Sequence, residues 1–113
     1  MKLQTKSTSF LQTRRDSLLK RVAAIDPRIL RGSLITRYLR CGKPGCRCAN
    51  GLGHGPKYYL SVSYPDRRPE QDYVPVQLQK HVVKSLANYQ KLKTLVEQLY
   101  DINRELLRRR EDL

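Results

Sequence analysis

The sequence predicts an α+β fold in which a small antiparallel β-sheet packs on an antiparallel helical hairpin with a long C-terminal helix. Two observations lead to this prediction. Residues 76–110 contain no Gly or Pro and repeat apolar residues at heptad spacing, which is typical of a long amphipathic helix. Residues 57–64 contain three Tyr and one Val, which is typical of a strand. At 113 residues, the chain is expected to form a single domain over residues 1–113.

The N-terminal helix is predicted over residues 10–25. Ser9 and Gln12 have the spacing of a capping box, in which each residue satisfies a free backbone N–H at the start of a helix. Apolar residues then recur at helical spacing, at Leu11, Leu18, Val22 and Ile25. The helix is expected to end at Asp26, because a following proline disfavours the helical conformation.

The β-sheet is predicted over residues 33–76. Residues 33–40 contain β-branched and aromatic side chains in partial alternation, which favours a strand, although a helix is also compatible with them. Residues 57–64 form the next predicted strand. The proline-flanked segment 65–69 is predicted to be a hairpin connection, with a returning strand from residue 71 to residue 76.

The long C-terminal helix carries two rows of residues at intervals of seven. Their members are Val82, Tyr89, Val96 and Asn103 in one row, and Leu92, Leu99 and Leu106 in the other. An asparagine at such a position either fixes the register of paired helices or simply lies near a frayed end, and both readings are open for Asn103.

A partner for this helix is predicted from its length. Thirty-five residues at 1.5 Å rise extend roughly 50 Å, whereas the N-terminal helix is about half as long. If the short helix covers the first half, the distal half has no partner in the same chain. We therefore predict a homodimer or a helical protein partner that docks on Leu99, Ile102, Asn103 and Leu106.

Charge points to a polyanionic ligand. The chain has a net charge of +13, and the segment 27–65 contains basic residues but no Asp or Glu. Nucleic acid is the first expectation, an anionic membrane is the second, and a charge that only maintains solubility is the third. The N-terminus has no apolar signal region and no segment is apolar enough to span a membrane. A cytoplasmic location, in which cysteine thiols stay reduced, is expected.

Three cysteines and a histidine form the clearest chemical motif. Cys41, Cys46, Cys48 and His54 lie within fourteen residues, separated by turn-forming glycines and a proline. Three thiolates and an imidazole suit tetrahedral zinc, and a closed set of four ligands is typical of a structural site. The fold class therefore includes a Cys3His zinc knuckle. An iron–sulfur cluster, a reactive cysteine and a catalytic zinc fit less well, the last because no carboxylate occurs between Asp26 and Asp66. No enzymatic activity and no small-molecule substrate are predicted.

Residues around this motif are predicted to bind nucleic acid, with DNA favoured over RNA. The predicted phosphate-binding residues are basic and lie in or beside the acid-free segment: Arg31, Arg37, Arg40, Lys43, Arg47 and Lys57. Tyr58 is predicted to contact bases or sugars, and Tyr38 and Tyr59 lie nearby; packing within a strand is the competing role for each tyrosine. A non-catalytic assembly subunit, which docks through its helices on a larger nucleoprotein enzyme, is the alternative function.

Three short motifs together resemble a known family. The chain reads C-G-K-P-G-C-R-C-A at residues 41–49, G-L-G-H-G-P-K-Y-Y-L at residues 51–60 and Y-V-P at residues 73–75, before a helix that ends N-R-E-L-L. Over residues 31–107 it resembles a small uncharacterised prokaryotic domain family whose members are often found with transposase or other mobile-element genes. The resemblance implies a DNA-linked setting and supplies no mechanism.

Overall fold

The computed structural model describes residues 2–39, 45 and 53–111. Helix α1 spans Thr8–Ala23, strands β1, β2 and β3 span Ser33–Leu39, His54–Tyr64 and Arg67–Val74, and helix α2 spans Gln79–Arg108. Short 3-10 turns at Leu3–Thr5 and Val76–Leu78 precede the two helices. The expected α+β fold is confirmed, with a three-stranded antiparallel sheet and two helices, the C-terminal one long.

The chain divides into two compact units. Met1–Arg28 and Asn88–Leu113 form one, here called the helical unit, and Ile29–Ala87 form the other, here called the sheet unit. The prediction of a single domain stays a prediction.

Helix α1 begins two residues earlier than its sequence pattern suggested. The N-cap is Ser7, whose Oγ accepts a hydrogen bond of 3.0 Å from the backbone N–H of Phe10. Ser9, the predicted cap, lies within the first turn. Both serines are followed by helix-compatible residues, so the sequence did not distinguish them.

The helical unit is an antiparallel hairpin. Arg15 donates from Nη1 to Oδ1 of Asn103 at 3.1 Å, and Asn88 donates from Nδ2 to the carbonyl oxygen of Arg28 at 3.0 Å. The pairing is antiparallel, because Arg28, which follows Arg15 in the sequence, pairs with Asn88, which precedes Asn103. Asn103 therefore has a hydrogen-bond partner within the chain, and its predicted place at a partner interface stays a prediction.

Leucines and an isoleucine from both helices form the core of this unit. The buried members are Leu11, Leu18, Leu95, Ile102 and Leu106, with Leu3, Val22, Ile25 and Leu99 packed against them. The premise that Leu99, Ile102 and Leu106 lack partners in the same chain is therefore wrong. The first residues of α2, up to Ala87, belong to the sheet unit, so α1 pairs with the distal part of the helix.

The sheet has the strand order β1-β2-β3, and both pairs are antiparallel. The strand alternative for residues 33–40 is confirmed over Ser33–Leu39. Strand β3 begins at Arg67, four residues before the predicted start, because the hairpin turn occupies only residues 65–66. The sheet ends at Val74, and the next residues enter α2 through the 3-10 turn. In the described part of the chain, no helix is long and apolar enough to cross a membrane.

Candidate nucleic-acid interface

Cross-strand pairing assigns the side chains of the sheet to two faces. Residues directly opposite each other on neighbouring strands point to the same face, and successive residues alternate between faces. Leu34, Leu60 and Asp72 are paired in one row, and Ile35, Tyr59 and Tyr73 in the next. The first row lies on what we call the apolar face, where Leu60 and Val74 are buried. The second lies on the tyrosine face, formed by Ile35, Arg37, Lys57, Tyr59, Gln71 and Tyr73.

Side chains of the tyrosine face contact one another across all three strands. The guanidinium carbon of Arg37 lies 5.5 Å from the ring centroid of Tyr59, and its Nη1 donates a 2.9 Å hydrogen bond to Oε1 of Gln71. Tyr59 and Tyr73 meet edge to face, with ring centroids 5.7 Å apart and an angle of 65° between the rings. Tyr73 is nevertheless 56% exposed. The face therefore presents ordered aromatic and basic side chains to solvent.

Charge is segregated between the two faces. Arg37 lies directly opposite Lys57, so two cations share the tyrosine face. The acidic residues of β3, Glu70 and Asp72, pair with Val62 and Leu60 and so lie on the apolar face. Within the described part of the chain, neither Arg37 nor Lys57 forms an ion pair. The tyrosine face is therefore a positively charged surface without compensating carboxylates.

A second basic and aromatic group, the hairpin cluster, lies beside the β2–β3 turn. The guanidinium carbons of Arg31 and Arg67 lie 5.2 Å and 4.0 Å from the ring centroid of Tyr64. Arg31 also donates from Nη1 to the carbonyl oxygen of Ser63 at 2.8 Å. Nη2 of Arg67 lies 3.4 Å from Oε2 of Glu70. This ion pair is exposed, and exposed ion pairs contribute little to stability.

The residues predicted to bind nucleic acid fall into four groups. Arg37 and Lys57 lie together on the tyrosine face, and Arg31 belongs to the hairpin cluster. Tyr58 pairs with Thr36 and Val74, which places it on the apolar face. The remaining predicted residues, Arg40, Lys43 and Arg47, lie outside the described residues.

Sequence reasoning overlooked Tyr73. Its partner Tyr59 was noted, and strand alternation alone places Tyr59 on the same side as Lys57 and opposite to Tyr58. The position of Tyr73 on this face follows from the register between β2 and β3. The sequence did not give that register, because the turn and the start of β3 were both predicted at the wrong residues.

The predicted zinc ligands lie at the margin of the described structure. Cys41, Cys46 and Cys48 are outside the described residues, and His54 is described only by its backbone. Residues 2–39, 45 and 53–111 contain no group of three His, Cys, Asp or Glu side chains that could hold a metal. The backbone of His54 pairs with that of Leu39, so the sheet joins the two ends of the predicted zinc loop.

An exposed apolar stripe runs along α2 in the helical unit. Val96, Tyr100 and Leu107 are 49%, 56% and 58% exposed. At 100° per residue they lie within about 40° of one another around the helix. We call these three residues the helix stripe; they differ from the buried residues that were predicted to form a partner interface.

Comparison with known families supports the resemblance seen in the sequence. A family described as a domain of unknown function, DUF6788, matches residues 9–84. The chain belongs to this family. The match extends from α1 through the whole sheet to the first residues of α2. An uncharacterised small domain family is therefore confirmed.

No curated protein and no solved structure matches the chain.

Proposed function

We propose that this protein binds nucleic acid, with DNA favoured, through the tyrosine face of the sheet. The single observation that carries the proposal is the segregation of charge across the sheet. Arg37 and Lys57 lie opposite each other on one face, and the acidic residues of β3 lie on the other.

Electrostatic cost supports this assignment. Like charges directly opposite each other on neighbouring strands destabilise a sheet, and a carboxylate on the same face would relieve the repulsion. The tyrosine face has none, so an external anion is the partner that neutralises Arg37 and Lys57 together. A phosphate group that lies between them would accept hydrogen bonds from both side chains.

The arrangement of Arg37 supports phosphate binding. Its Nη1 donates a hydrogen bond to Oε1 of Gln71, and its guanidinium lies over the ring of Tyr59. These two contacts hold the planar group in place, while its other N–H groups remain as donors, since an arginine side chain carries five. A cation that is already ordered loses less conformational entropy when it binds a phosphate.

We also propose that a structural zinc ion, bound by Cys41, Cys46, Cys48 and His54, holds the loop that joins β1 and β2. Cys41 follows Leu39 by two positions in the sequence. Leu39 in turn pairs with His54, the fourth ligand. This pairing supports the proposal, because it joins the strand positions that flank the segment containing Cys41, Cys46 and Cys48. The zinc would supply rigidity to the basic loop and no chemistry, consistent with the proposal that the protein is not an enzyme.

Binding to a labelled 20-base-pair DNA duplex across a salt series tests the proposed function. We expect affinity to fall with salt, by roughly 0.9 in log K per unit of log salt for each phosphate neutralised. The double variant R37Q/K57Q should bind more weakly and with a shallower salt slope. Lys20→Gln, an exposed lysine of α1, is the matched control and should leave both unchanged. Absence of binding at low salt to this duplex and to single strands, or an affinity that does not change with salt, would refute the proposal.

A second candidate function is favoured by the helix stripe. Val96, Tyr100 and Leu107 are exposed apolar residues on one side of α2. Such a stripe suits a non-catalytic assembly subunit that docks a helical partner or a second copy of the chain. The association of the resembling family with mobile-element genes would place either function in a transposition setting.

A further inference from the structure

We infer that the tyrosine face recognises unpaired bases, so that the preferred ligand is a single-stranded polynucleotide with Tyr73 as its main stacking residue. This inference rests on the proposed function, because it names the class of nucleic acid that the same face would take. It depends on one residue that the proposed function does not require, and it can therefore be tested separately.

The ring of Tyr73 is accessible in a way that the neighbouring tyrosines are not. Tyr59 and Tyr64 each have a guanidinium over the ring, whereas no cation lies over Tyr73 within the described residues. Tyr73 contacts Tyr59 edge to face and remains 56% exposed. An exposed aromatic ring that is held in place by a second ring is a ready platform for a planar base.

A base must be unpaired or terminal to use such a platform. Inside a duplex both surfaces of each base pair are covered by the neighbouring pairs, so a side chain on a sheet cannot stack on them. Proteins that bind single strands combine aromatic side chains with a positively charged groove, and each stacked base contributes an amount that tolerates changes of sequence. The tyrosine face contains aromatic side chains, Tyr59 and Tyr73, and cations, Arg37 and Lys57.

The dimensions of the face limit the length of strand that it contacts. Arg37 is on β1, Lys57 and Tyr59 are on β2, and Tyr73 is on β3. Neighbouring strands are about 4.8 Å apart, so the row from β1 to β3 is about 10 Å wide. The rings of Tyr59 and Tyr73 are inclined by 65° and cannot both lie flat on one base. We expect a contacted segment of two or three nucleotides, with a base on Tyr73 and phosphates near Arg37 and Lys57.

The test compares three fluorescein-labelled ligands of one sequence by anisotropy: a 12-nucleotide DNA strand, the same strand as RNA, and the corresponding DNA duplex. We expect at least one single strand to bind about tenfold or more tightly than the duplex. Tyr73→Ala should weaken that binding by about tenfold to a hundredfold, the range expected from the loss of one stacked base. Tyr73→Phe keeps the ring and should bind within about twofold of the parent protein. Phe10→Ala is the control, because Phe10 is an exposed aromatic residue that lies on α1 in the helical unit and belongs to neither the tyrosine face nor the helix stripe.

A second readout separates stacking from charge. The chain contains no Trp, so its ultraviolet emission comes from tyrosine, and stacking on Tyr73 should quench part of that emission. Abasic oligonucleotides retain the phosphates and should bind Tyr73→Ala and the parent protein equally. If duplex and single strand bind equally and Tyr73→Ala has no effect while R37Q/K57Q weakens both, the inference is overturned and the proposed function stands. If no ligand binds at low salt, both fail.

Discussion

Arg37 and Lys57 face each other across the β1–β2 ladder, with their Cα atoms in register and no carboxylate among the described residues on their side of the sheet. A row of cations is common on protein surfaces, but two cations directly opposite each other on neighbouring strands destabilise the sheet. The pair lies beside Tyr59 and Tyr73 on the same face.

Removal of one charge from this pair should weaken nucleic-acid binding without lowering the stability of the fold. We expect Lys57→Gln to leave the free energy of unfolding unchanged or to raise it by up to ~0.5 kcal/mol, because cross-strand pairs contribute a few tenths to 1 kcal/mol. Nucleic-acid affinity should fall in the same variant. Urea denaturation at 50 mM and 1 M salt measures the first effect, and any gain should shrink at high salt because the repulsion is screened. A loss of more than about 1 kcal/mol would mean that Lys57 has a stabilising partner.

Adjacent leucines in α2 should respond very differently to truncation. Leu106 is fully buried in the core of the helical unit, whereas Leu107 is 58% exposed. We expect Leu106→Ala to lower the free energy of unfolding by about 2–5 kcal/mol and Leu107→Ala by less than about 0.5 kcal/mol. Chemical denaturation at several protein concentrations is the measurement. A midpoint for the parent protein that rises with concentration would indicate that a second chain contributes to this core.

The start of α1 offers a similar comparison between two serines. Ser7 accepts a hydrogen bond from the N–H of Phe10, whereas Ser9 is exposed within the first turn. Ser7→Ala should cost about 1 kcal/mol of stability, since it leaves a helix N–H without its side-chain acceptor. Ser9→Ala should change stability by no more than about 0.5 kcal/mol. Equal losses at both positions would argue against Ser7 as the cap.

The zinc proposal predicts about one zinc ion per chain in the purified protein. Cys46→Ser should abolish or greatly weaken zinc retention, because three remaining ligands leave the tetrahedral set open. His81→Ala is the control, since His81 is an exposed residue of α2 and should not affect the metal content. Elemental analysis after gel filtration gives the ratio. A metal-free protein with unchanged thermal stability after chelation would eliminate the structural site.

The helix stripe predicts where a helical partner would dock. If the chain self-associates, the double variant V96E/Y100E should shift it to the monomer in light-scattering measurements, because two charges on an apolar interface oppose burial. The comparison variant V83E changes an exposed α2 residue that lies outside the helical unit. Dissociation by V83E but not by V96E/Y100E would place the interface elsewhere, and a parent protein that is monomeric at all concentrations would rule out self-association.

Local patterns in the sequence were sufficient to predict the elements. Heptad spacing predicted the long helix that became α2, and the Tyr-rich segment 57–64 predicted β2, because such patterns depend only on residues close together in the chain. The same local logic failed by two to four residues at the start of α1 and β3. Several turn and cap residues stand side by side there, and tertiary contacts select among them.

The tertiary structure alone decided which surfaces are covered and which are free. Leu106 is buried because α1 packs against the distal part of α2 within the helical unit, and no periodicity in α2 encodes that choice. Tyr73 joins Arg37 and Tyr59 because the β2–β3 register places it there. Composition could establish that the chain is basic and expected to meet a polyanion. Only long-range pairing could collect cations and an exposed ring on one face, because such contacts join residues far apart in the sequence.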